Sequence, residues 1–393
     1  MNISHYFRTF LLFILITLTP KLFAKESPTT KQIPSPPTVN AACSEATVQS
    51  DLTVNNVRCR ILMGDMWWDL KNGAYEIPKG GGVMSIFAGS LWIGGIDVGG
   101  QLKVAAQTYR STGNDFWPGP LNTTDASIST DVCSEYDKHF RITRKEVETF
   151  VATGVKTPAI INWPGNGDQS KGQSKNLAPF FDADADGIYD PSSGDYPGYD
   201  LVAGDGYGDC QLNNCVPVDQ LFGDETIWWV FNDRGNIHGE TGGQPIGLEI
   251  RTQAFGFFTD DEINNMTFYN YRIYNRSTFQ VDSTYFGIWC DADLGCPTDD
   301  YVGCDVKRGL GYTYNGDNDD DVACQSLGYG LNPPAVGIDF FRGPLADPGD
   351  GKDNDRNCQI DESCEQVIMS GFLYYDNING VPFGNPSGAT HYY

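Results

Sequence analysis

From Gly247 the chain reads GLEIRTQAF, then TDDEINN, then MTFYNYRIYN, and this alternation limits the fold more than any other stretch. Leu248, Ile250, Thr252 and Ala254 fall on one side of the first run, while Glu249, Arg251 and Gln253 fall on the other. A period of two belongs to a half-buried strand, because a helix scatters such residues around its axis. Beyond the acidic turn, Tyr269, Tyr271 and Ile273 alternate in the same way with Asn270, Arg272 and Tyr274. A third run, STYFGIW, is expected to complete an antiparallel meander. Residues 221–345 therefore read as the core of a β-sandwich or jelly roll.

Residues 42–165 carry the same signal. RCRILMGDMWWDL, VMSIFAGSLWIGGI and QLKVAAQTYR are short apolar runs, punctuated by glycines at 80–82 and 99–100. Trp67, Trp68 and Trp92 lie inside these runs, which points to packing rather than to an open sugar platform. Only KEVETFVA, from Lys145 to Ala152, has helical spacing, with Val147, Phe150 and Val151 on one side. With 45 glycines and many aromatic residues among 393, the class is all-β: an antiparallel sandwich with long acidic loops and little helix.

The first 24 residues join a basic residue, an apolar run from Phe10 to Leu18 and a small residue at Ala24. They read as a secretory signal peptide, and residues 25–41 as a Pro/Ser/Thr-rich linker. No other apolar run approaches the length needed to span a membrane. Export implies an oxidising compartment, so the 11 cysteines are expected in disulfides, with the close pairs Cys210–Cys215, Cys290–Cys296 and Cys358–Cys364 as first choices. Without a C-x-x-C motif, structural zinc is disfavoured. The formal charge of −25 makes nucleic acid and anionic lipid poor partners and cations good ones.

Where the acid clusters decides which cations. FDADADGIYD, in the Asp/Gly-rich segment 166–220, places Asp182, Asp184, Asp186 and Asp190 at positions 1, 3, 5 and 9 of a loop, with Gly187 at 6 and the Ile188 carbonyl at 7. That is the ligand order of a calcium loop, truncated before the twelfth position, where Ser193 stands; Asp195 or a water is expected to complete the shell. DGKDNDRNCQIDESC, in segment 346–393, repeats the logic with Asp353, Asp355, Asn357 and Asp361. Asp291, Asp293, Asp299, Asp300 and Asp305 form a third cluster that fits no single loop template, so a further metal site and a solvated rim both stand open. There is no G-x-S-x-G elbow, no H-E-x-x-H, no phosphate loop and no G-x-G-x-x-G opening a helix, while 51 acidic residues make any chosen carboxylate pair for glycoside hydrolysis uninformative. His238, close in sequence to Asp233 and Glu240, has no placed nucleophile and reads as structural.

Several phrases, taken together, carry a resemblance: GDMWWDL, SIFAGSLWIGGID, GQLKVAAQTYR, GNDFWPGPL, FDADADGIYDPSSGDYPG, IWWVFNDRGNIH, NNMTFYNYRIYNRS, DDYVGCDVKRGLGYTYNGD, NPPAVGIDFFRGPLAD and GATHYY. From about residue 52 onward the chain resembles the N-terminal region of large exported Bacteroidetes proteins carried by the type IX secretion system. The resemblance implies export across the outer membrane, with a C-terminal sorting domain expected beyond this sequence. The functional expectation is a secreted or cell-surface, calcium-stabilised structural or adhesion protein that meets extracellular polysaccharide or cell-surface components. The alternative is an extracellular hydrolase or carbohydrate-binding module.

Overall fold

Glycine-punctuated β-branched and aromatic runs make short strands. The computed structural model describes residues 43–198, 223–320, 327–363, 365–375 and 386–393; the expected signal peptide and linker, and the pair Cys210–Cys215, lie outside them. Seven strands come first: β1 (Ser50–Leu52), β2 (Arg58–Ile61), β3 (Asp65–Met66), β4 (Tyr75–Glu76), β5 (Met84–Ile86), β6 (Ala88–Asp97) and β7 (Leu102–Ala105). The chain continues through β8 (Trp117–Pro118), α1 (Thr130–Glu135), β9 (Phe140–Thr143), α2 (Arg144–Thr153) and α3 (Pro158–Ile161) to a small hairpin of β10 (Phe180–Phe181) and β11 (Tyr196–Pro197). The long strands follow: β12 (Glu225–Asn232), β13 (Leu248–Gly256), β14 (Phe268–Asn275) and β15 (Val281–Asp291).

Strands β1–β7 and β15 form one antiparallel sheet, whose longest internal member is β6. Strands β14-β13-β12-β8, with β9 beside β12, form the second. The two pack face to face as a sandwich. Ile227, Trp229 and Phe231 of β12 and Leu248, Ile250 and Ala254 of β13 meet Ile61, Met66, Trp67, Leu91 and Ile93 of the first sheet in one buried cluster. The first and second strand clusters of the sequence are thus the two halves of one core. Further on, β16 (Asp300–Asp305), β17 (Leu310–Asn315) and β20 (Ala335–Asp339) pair as a small sheet, while β18 (Asp319–Asp320) and β19 (Gly330–Leu331) form a hairpin.

The STYFGIW run departs from the expected meander. Strand β15 pairs with β6, from Val281 opposite Asp97 to Asp291 opposite Ala88, and not with β14. The connection after Asn275 crosses from one sheet to the other, and the apolar residues of β15 reach the core from the opposite side: Val281 and Ile288 pack against it.

The second departure concerns the polar stripe of β13. Glu249 is 0% exposed, Arg251 8% and Gln253 5%, so the strand is buried on both faces. Its outer face is covered by a layer built from 122–198. In that layer Val132, Val147, Phe150, Ile160, Trp163 and Tyr189 pack on Trp228 and Val230, the alternate residues of β12. The expected helix is present as α2: Thr143 and Glu146 close a capping box, Gly154 ends it in the left-handed conformation, and Val147 and Phe150 are buried. Val151 is exposed, because α2 rests on a single ridge of the layer.

Cysteine pairing also differs from the neighbour rule. Cys43 and Cys133 are bridged, while Cys290 and Cys358 are free thiols, so neither the 290–296 nor the 358–364 bridge forms. Cys290 lies in β15 as a free thiol, while Cys296 is disulfide-bonded elsewhere. Among the described residues no helix is long and apolar enough to cross a membrane.

Candidate functional site

The first acidic loop hangs from the β10–β11 hairpin, whose Phe181 and Tyr196 rings stack 4.7 Å apart. Tyr189, within the loop, turns inward: its hydroxyl donates to the Ile160 carbonyl (2.6 Å), and its backbone exchanges hydrogen bonds with the Asn166 amide (2.8 and 2.9 Å). Buried Asp195 fastens the two ends, accepting N–H groups from Ala183 (2.9 Å) and Asp190 (2.8 Å). Asp195 thereby braces the loop. Gly187, at φ +73°, makes the sharp turn, and its N–H donates to Asp182 Oδ2 (2.7 Å).

Within that frame the carboxylates of Asp182, Asp184 and Asp186 converge, with one oxygen of each within 4.8 Å of the others. Asp182 Oδ1 is buried without a hydrogen-bond partner, as a cation ligand would be. Hard carboxylate oxygens at this spacing fit calcium. Asp190 lies outside the convergent set, its Oδ1 accepting the Ser192 N–H (2.7 Å). Ile188 donates its N–H to Asp186 Oδ1 (2.7 Å) and leaves its side chain exposed.

The second loop gathers a different set from the one its spacing suggests. Asp353 and Asp355 converge with Glu365, a buried residue that the template did not include. Asp361 accepts the Gly351 N–H (3.2 Å), at the far side of the loop. Asn357 points its amide nitrogen, not its oxygen, at Asp355 Oδ2 (3.0 Å) and Glu362 (2.5 Å). The Glu365 signal was available only as an acid just past the twelfth position, where a bidentate carboxylate usually closes such a loop.

In the third cluster, Cys296, Asp299 and Asp320 approach one another, but Cys296 is disulfide-bonded and offers no thiolate. Asp320 is fully buried and accepts the backbone N–H groups of Cys296 (3.0 Å) and Tyr329. Burial, and then Asp291 and Asp300, push the Asp293 carboxyl up to about 7; burial foremost pushes Asp300 up to about 7 too. Asp305 lies at the far end of β16, in an exposed pair with Arg308.

His238 is a clamp. Its ring nitrogens lie 2.7 Å from the Val104 carbonyl and 2.6 Å from that of Asp233. Asp233 in turn accepts N–H groups from Ile246, Gly247 and Leu248, which sets the start of β13. Among the described residues, no serine, threonine or cysteine side chain is hydrogen-bonded to its ring. Among the tryptophans, Trp67 and Trp229 are buried in the sandwich core, and Trp92 stacks on Trp289 (6.0 Å).

A feature that the sequence alone does not announce lies on the outer face of the second sheet. Glu249 is buried between Arg251 (2.7 Å) and Arg276 (3.0 Å), and both guanidiniums also stack on Tyr274. Beside this network is a cavity of about 180 Å³, lined by Trp228, Gln253, Asn270, Arg272 and Tyr274 and by Asp182 of the first loop. Its only sequence signal was the polar stripe of β13 and β14, which looks solvent-facing until the covering layer is known. No family model matches the chain, nor does any curated protein or solved structure.

Proposed function

We propose that this chain is an exported, calcium-stabilised structural or adhesive protein of the type IX secretion cargo kind, acting at the cell surface or beyond it. The convergence of Asp182, Asp184 and Asp186 on a loop braced into the second layer carries the reading. Those three carboxylates would hold the ion, with Asp353, Asp355 and Glu365 as a second set. A bound cation supplies neutralisation of carboxylates that otherwise repel, and its binding free energy adds to folding. The burial of Trp67 and Trp229 speaks against a hydrolase whose substrate lies along those rings.

Melting in calcium and in chelator tests this. A ligand at a hundredfold excess over its Kd adds about 2.7 kcal/mol, so Tm is expected to rise by several degrees. An unchanged melt would sink the structural-calcium reading.

A further inference from the structure

The small sheet of β16, β17 and β20 meets the sandwich through one face. Val336 and Ile338 of β20 pack against the core, while the alternate residues Ala335, Gly337 and Asp339 are exposed. Register carries that outer face across the sheet. Tyr301 lies opposite Tyr314 and Tyr314 opposite Ala335, while Gly303 lies opposite Tyr312 and Tyr312 opposite Gly337. Three tyrosines therefore share it, with Tyr301 59% and Tyr314 43% exposed.

The rings lie down on the sheet. A Cβ at Gly303 would fall 2.6 Å from the ring of Tyr312, and one at Gly316 would fall 2.5 Å from that of Tyr301, so both rings use space that only glycine leaves. The Tyr301 and Tyr314 rings are 6.1 Å apart and 28° from parallel; those of Tyr312 and Tyr314 are 6.0 Å apart and 40° from parallel. The result is a shallow cluster of three rings on a glycine floor.

Area, charge and chemistry narrow what it can hold. At about 3.4 Å per residue and about 4.8 Å between strands, three strands matched to the six residues of β17 present about 300 Å². A stable protein interface takes about 800 Å² from each partner and sets its anchors in pockets, so this face is too small and too flat for a second protein chain. At one end Asp305 and Asp339 flank Leu310, and Lys307 and Arg308 occupy the adjoining turn, so the charges balance. The other end adjoins Asp299 and Asp317. That distribution favours a neutral ligand over an anionic one. Tyrosine offers an apolar ring face and a hydroxyl at its rim. A β-linked glucose unit is its complement: its substituents are equatorial, leaving C–H groups on the faces and hydroxyls at the edge.

We propose that the outer face of this small sheet binds a neutral β-linked glucan strand, its sugar rings lying against Tyr301, Tyr312 and Tyr314 and its edge hydroxyls meeting the tyrosine hydroxyls and Asp339. The inference rests on the adhesive reading and deepens it by naming the polysaccharide class and the surface that takes it.

Calorimetric titration of the whole chain in calcium tests it, with cellohexaose as the probe and maltohexaose and hexagalacturonate as controls. Saturable cellohexaose binding, tighter than that of either control, is expected. Tyr314→Ala and Tyr301→Ala should each weaken it about three- to tenfold, the worth of an aromatic contact, whereas Tyr314→Phe, which keeps the ring, should weaken it less. Both side chains are exposed, so the fold should stand, as melting and circular dichroism would report; if one alanine variant melts early, the other reads the contact. No saturation at millimolar concentrations, a control that binds as tightly, folded alanine variants that bind like wild type, or self-association in sedimentation that the alanine variants abolish would each overturn the proposal. Binding of a control that survives both alanine substitutions would sink this site and leave the adhesive reading standing. The calcium-dependent melt is read separately, so failure of one idea is distinguishable from failure of the other.

Discussion

Asp293 holds its proton more tightly in the folded chain than in the unfolded one, since burial and the neighbouring carboxylates raise it from the ordinary 3.8 to about 7. Between those values the folded state carries the extra proton, so this contribution to stability falls as pH rises through the window. Asp293→Asn fixes the uncharged form. In chelator, the variant is expected to melt above wild type at neutral pH, with the advantage shrinking toward pH 4; a constant offset would refute the assignment. Glu249 presents the opposite case, a buried carboxylate already paired. Glu249→Ala strands Arg251 and Arg276, and urea unfolding should register a loss of about 3–5 kcal/mol. Neither residue was legible from its neighbours. Glu249 sits in the polar half of a perfect alternation, and only a layer contributed by residues far earlier in the chain turns that half inward.

At the scale of an element, the convergence of the acidic side chains was legible where it depends on local spacing and illegible where it depends on turns. Positions 1, 3 and 5 of the first loop converge, because Gly187 and the left-handed Ala185 curl the backbone tightly enough to bring alternate residues together. The ninth position escapes: Asp190 begins the next turn, and its carboxylate is engaged by Ser192. Asp182→Asn should therefore abolish most of the calcium-induced rise in Tm contributed by this loop, whereas Asp190→Asn should leave it nearly intact. Equal effects would restore the template's nine-position reading. In the second loop the same logic makes Glu365→Gln more damaging to calcium stabilisation than Asp361→Asn, measured by the same melt. The meander was misread for a related reason: alternation identifies a strand but says nothing of which sheet receives it, and the crossing after Asn275 leaves no periodic trace.

For the whole molecule, the all-β class and the sandwich were legible from periodicity, and the cysteine pairing was not. Proximity in sequence favoured short loops, but one bridge among the described residues joins Cys43 to Cys133 across 90 residues, tying the entry to the first sheet to helix α1 of the covering layer. Closing a loop of that length stabilises by about 4.6 kcal/mol in the chain-entropy description, so Cys133→Ser should lower urea stability by an amount of that order. The pairing of β6 has a different consequence. One edge of β6 is taken by β3 and β7, its near neighbours in the chain, while the other waits for β15, some two hundred residues later. Until β15 arrives, a ten-residue strand shows a bare row of amides and carbonyls, the template on which nascent chains aggregate. Folding is therefore paced by a contact of very high sequence separation. The sandwich therefore closes only once its last long strand has been made.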